Sequence, residues 1–77
     1  MASRLDLLVF CADDAIESAN FQIKINGDCY PAVRSAIDYA INSIQKAISE
    51  CPDADPRKPE LTNKLTAMNT LKEKYNS

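Results

Sequence analysis

The sequence predicts an all-α protein, an antiparallel up-down-up three-helix bundle forming one domain over residues 1–77. Apolar residues recur at gaps of three and four in three stretches, about 3–25, 29–50 and 60–75. A single Asn-Gly turn and a proline-rich linker at 51–59 separate them. The first connection is a tight turn and the second a longer proline-rich loop, and short connections place neighbouring helices antiparallel.

The first helix opens at Ser3, three residues before Asp6. A hydroxyl there accepts from open backbone N–H groups, and an acid complements the helix dipole. Its stripe runs through Leu5, Leu8, Ala12, Ala15, Ile16, Ala19 and Ile23. The end of this segment, "NFQIKINGDCYP", also reads as a strand entering a hairpin, because Phe21, Ile23 and Ile25 alternate with polar residues before Asn26-Gly27. A hairpin needs a second strand, but the residues after Gly27 bring Pro31 and strong helical periodicity. The better expectation is a helix ending in a left-handed Asn26 or Gly27, with Phe21 and Ile25 as an i, i+4 pair.

The second helix has Asp28 as its expected cap and Pro31 in its first turn, where a missing N–H costs nothing. Val33, Ile37, Ala40, Ile41, Ile44, Ala47 and Ile48 form its apolar stripe, opposite Arg34, Asp38, Asn42, Gln45 and Lys46. Pro52, Pro56 and Pro59 then interrupt the chain. Pro59 suits the first position of the third helix, whose stripe is Leu61, Leu65, Met68, Leu71 and Tyr75.

Composition narrows the function. A chain of 77 residues buries about 60% of its unfolded surface, too little for a deep enclosed active site. There is no histidine, which removes the commonest general base and metal ligand. Cys11, Cys29 and Cys51 have no Cys-x-x-Cys spacing, so free thiols in a reducing compartment are expected rather than zinc or disulfides. The apolar run Leu7–Ala12 is too short for a signal peptide core or a membrane span, which points to the cytoplasm. Asp13-Asp14 diverge by about 100° on a helix, and Asp53 and Asp55 sit in the linker, so neither pair forms an acid/base site. Cys29 near a helix start lacks a partner base. A non-enzyme without cofactor is expected.

Charge is uneven. Residues 1–56 hold four Lys/Arg against nine Asp/Glu, net −5, while residues 57–77 hold five against two, net +3. That acidic body does not suit nucleic acid. Binding surface for another protein remains. The stretch "LLVFC" at residues 7–11 is apolar around more than a full turn, so at least one of Leu7, Val9 and Phe10 must lie outside the core. Such a patch serves a partner or a homodimer. On the third helix Leu65 and Met68 are flanked by Lys64 and Lys72 and form a candidate partner-binding set, although core packing also accounts for Leu65 and Met68.

The segment "GDCYPAV" followed by "AIDYAINSIQKAI" resembles the MIT (microtubule interacting and trafficking) domain. Lys24, Gly27 and Tyr30 correspond loosely to its Lys-x-x-Gly-x-Tyr pattern, Ala40-Ile41 and Ala47-Ile48 keep its seven-residue repeat, and Leu65 with Leu71-Lys72 matches its third helix. Val33-Arg34 and Ala67-Met68-Asn69 depart from it. The turn also resembles tetratricopeptide repeats, whose helices are about half as long and which require stacked copies. The MIT resemblance implies binding of short C-terminal helical motifs of ESCRT-III-type proteins, usually between helices 2 and 3. It also implies recruitment of a parent protein to endosomal membranes without insertion into them, and Met1 just ahead of the first helix fits an N-terminal module. Leu65 is the residue that this resemblance carries over. The alternatives are a self-associating helical adaptor using the helix 1 patch and a single tetratricopeptide-like hairpin.

Overall fold

The computed structural model describes residues 3–75. Met1 and Ser77, the expected ends of the domain, lie outside that range. Three helices form, α1 (Arg4–Asn26), α2 (Tyr30–Glu50) and α3 (Arg57–Lys74), with no strand among the described residues. Residues 20–31 are thus a helix end, a turn and a helix start, not a β-ribbon.

The start of α1 forms as its sequence predicts. The Ser3 hydroxyl accepts from the Asp6 N–H at 3.1 Å, and the Asp6 carboxylate accepts from the Ser3 N–H at 3.1 Å, a complete capping box. The turn into α2 differs. Gly27 has φ −57° and ψ −22°, right-handed rather than left-handed. Glycine is needed there for space, since a Cβ would stand 2.7 Å from the Ile23 carbonyl oxygen. Asp28 does not cap α2. Cys29 occupies that position without a side-chain hydrogen bond, and its carbonyl accepts from Val33 at 3.1 Å.

α3 begins at Arg57, ahead of the Pro59 start that the sequence predicts. Asp55 explains the earlier start. Its carboxylate accepts from the Arg57 N–H at 2.9 Å, and Pro56 already has helical φ −64° and ψ −15°. An acid followed by proline is itself a start signal, and Pro59 falls in the first turn, where its missing N–H is harmless.

The core is the α2 stripe. Val33, Ile37, Ala40, Ile44 and Ala47 are fully buried and Ile41 nearly so. α1 contributes Ala12, Ala15 and Ala19, small side chains that let it lie close against α2. α3 contributes Leu61 and Met68, and Tyr75 just past its end is buried too, its ring meeting Tyr30 edge-on with centroids 5.1 Å apart. α2 packs extensively against each neighbour, whereas α1 and α3 scarcely touch through their backbones. No described helix is long and apolar enough to cross a membrane.

Candidate functional site

The described residues bury no charged or polar side chain and gather no cluster of metal-ligating groups. Cys11 and Cys29 are exposed and Cys51 is buried, all as free thiols. What the fold offers to other molecules is the surface between its helices.

At 100° per residue, Lys64, Met68, Lys72 and Leu65 sweep an arc of about 100° on α3. The arc crosses the core and divides the predicted binding set. Lys64 sits on the α1 side, where its ammonium donates to Asp13 at 2.5 Å and lies 3.5 Å from Glu60. Asp13 holds its pKa above the usual lysine value, against the opposing effect of partial burial. Met68 falls mid-arc and is only 4% exposed, so it belongs to the core and not to an outward contact surface. Lys72 and Leu65 lie on the α2 side. Lys72 pairs with Asp38 at 2.9 Å, and Leu65 is half-buried against the core. Of the four, Lys72 alone pairs with α2, and Leu65 stands about 20° from it round α3.

The ion pairs follow a pattern. Asp6–Arg57 at 2.6 Å and Asp13–Lys64 at 2.5 Å join α1 to α3 with the same separation of 51 residues. Arg4 meets Glu50 at 2.8 Å, tying the start of α1 to the end of α2. The Ser3 N–H, then the Arg57 guanidinium, hold the Asp6 carboxyl below the usual range. Hydrogen bonds to Asp55 and then Asp6 raise the Arg57 pKa. These groups are substantially solvated, so each pair contributes little to stability. Sequence reasoning missed these partners, although Asp6/Asp13 and Arg57/Lys64 share a seven-residue spacing.

The α1/α2 cleft has a different character. Ala15, Ser18, Ala32 and Ala36 line it, so its floor is shallow and made of small side chains. Tyr39 is 65% exposed and borders both this stretch and the adjoining one beside Leu8 and Cys11. Next to the cleft α1 turns Leu7, Phe10, Phe21 and Ile25 outward, each more than half exposed. The "LLVFC" surplus is therefore Leu7 and Phe10, while Val9 is half-buried against the core. Phe21 and Ile25 extend the exposed surface, which their i, i+4 spacing alone did not reveal. Comparison with known protein families, curated proteins and solved structures finds no match to this chain.

Proposed function

We propose that this chain is a protein-interaction module of MIT type. It runs up-down-up and receives a short helical C-terminal motif of an ESCRT-III-type partner in the α2/α3 cleft. In that role it acts by binding alone, without catalysis or cofactor, and brings a parent protein from the cytoplasm to membrane-remodelling sites. The equal separation of the two α1–α3 ion pairs supports parallel outer helices, and the Arg4–Glu50 pair supports an antiparallel α2 between them.

One observation carries the choice of site. Leu65 presents a half-buried apolar spot two helical turns before Lys72, whose ion pair with Asp38 has side chains 45% and 50% exposed. An incoming helix can seat one apolar side chain on Leu65 and displace Asp38 from Lys72 with its own acid. Lys64 stands further round α3 and contributes less, because Asp13 and Glu60 already hold it.

Polarisation titration with labelled ESCRT-III C-terminal peptides tests this. Weak saturable binding is expected, abolished by Leu65→Asp and reduced by Lys72→Glu, with the Lys72 effect larger at low salt. Absence of binding at near-millimolar protein would overturn it.

A further inference from the structure

We infer that the outward face of α1, together with the adjoining α1/α2 cleft, seats a helix from another protein that is apolar at both ends and basic at its centre. This goes beyond the α2/α3 reading and uses a different flank of the molecule.

Leu7, Phe10, Phe21 and Ile25 fall within about 60° of arc at 100° per residue, spread over about 27 Å of axis. They are 57%, 70%, 58% and 53% exposed, a concentration of large apolar side chains that α2 does not show. The cleft beside them has the small-residue floor of Ala15, Ser18, Ala32 and Ala36, which lets an incoming helix approach closely. Tyr39 stands on its far rim.

Charge selects the occupant. Asp14 lies on the same arc and Glu17 about 20° beyond its edge, both midway along the axis between the two apolar pairs. Seven of the eleven acids have ion-pair partners; Asp14, Glu17, Asp28 and Glu73 have none among the described residues, and of these four only Asp14 and Glu17 belong to α1. Lys24 and Lys46 are exposed too, but Lys24 stands about 100° round α1 from Ile25 and Lys46 belongs to α2, so the two acids are the charges of the α1 face itself. A second copy of the chain does not complement it. Antiparallel packing of α1 on α1 sets Asp14 and Glu17 against the same residues of the other copy, and parallel packing does likewise, which like charges oppose. A partner with apolar ends and two or more Lys/Arg at its centre meets every feature.

The probe is a labelled helical peptide of about 18 residues, the length spanning Leu7 to Ile25. It carries Leu and Phe at both ends of one face and two lysines between them, and its control has central glutamates. Saturable binding of the lysine peptide to the 77-residue chain is expected. The double variant Asp14→Lys, Glu17→Lys should weaken it roughly tenfold, about threefold for each exposed pair, and should bind the glutamate peptide better than the wild-type chain does. Phe10→Ser with Phe21→Ser, at exposed positions, should abolish binding while leaving the circular dichroism spectrum unchanged. Alkylation of Cys11, which lines the cleft, should slow about tenfold at peptide concentrations ten times Kd. Absent binding, an affinity indifferent to the charge reversal, or unprotected Cys11 in the bound state would each overturn the inference. So would a dimer in sedimentation that Phe10→Ser returns to monomer, because the occupant would then be a second copy.

Discussion

α1 and α2 are nearly equal in length, 23 and 21 residues, yet they use their apolar residues in opposite ways. α2 confines branched aliphatics to one stripe and buries it, with Val33, Ile37 and Ile44 fully out of water. α1 distributes apolar residues around its circumference, buries three alanines, and leaves two phenylalanines in solvent. The difference teaches that apolar content and amphipathic order do separate work. Order makes α2 the spine of the fold, while disorder of the pattern gives α1 a second face that folding does not consume.

The largest effect should come from the spine. Ile44→Ala removes a fully buried side chain and should cost about 2–5 kcal/mol. A core of this size supplies only about 3–5 kcal/mol, so urea unfolding followed by circular dichroism should show a largely unfolded chain at room temperature. A midpoint close to wild type would break the assignment of α2 as the spine. Next in size is Ala19→Leu on the inner face of α1. Ala19 is fully buried, and the added bulk should cost about 1–3 kcal/mol in the same measurement. A neutral result would mean that α1 does not need its alanines to lie against α2.

Ser3→Ala removes one half of the capping box and should cost about 1 kcal/mol. The other half gives a pH signature. The folded-state pKa of Asp6 is lowered, so its contribution is complete above the ordinary value of 3.8 and is lost as pH falls through the lowered native value. Asp53 and Asp55 are lowered too, so Asp6→Asn should flatten part, not all, of the acid decline in thermal midpoint. Smallest of all is Phe10→Ser on the outer face, expected within about 0.5 kcal/mol of wild type. A large loss there would make that face part of the core and erase the contrast between the helices.

The α2 stripe was legible because its period is helical without exception, and all its members but the half-buried Ile48 are buried. The Ser3–Asp6 box was legible because both partners lie within one turn. Helix ends were harder to read. Asp55-Pro56 and Pro59 are competing start signals, and the Asp55–Arg57 contact decides between them. At Gly27 the deciding factor is proximity to the Ile23 carbonyl rather than a left-handed dihedral, which composition does not show. The candidate site was legible only as a set of residue types. Lys64 and Lys72 look equivalent in sequence, but their partners, Asp13 and Asp38, belong to different helices. Tertiary pairing separates the two lysines, and it also sends Met68 inward.

Among the described residues, the interior holds no polar or charged side chain to distinguish one alignment of its rods from another. Isoleucine against alanine tolerates sliding by a full turn far better than a buried polar pair would. Alignment is therefore written at the solvent boundary, where Asp6–Arg57 and Asp13–Lys64 repeat at heptad intervals like teeth on a rack. Ionic strength then acts on the molecule as a tuning screw. Concentrated salt should loosen the meshing of the outer rods before it melts them, and broaden amide resonances on α3 while the far-ultraviolet spectrum holds.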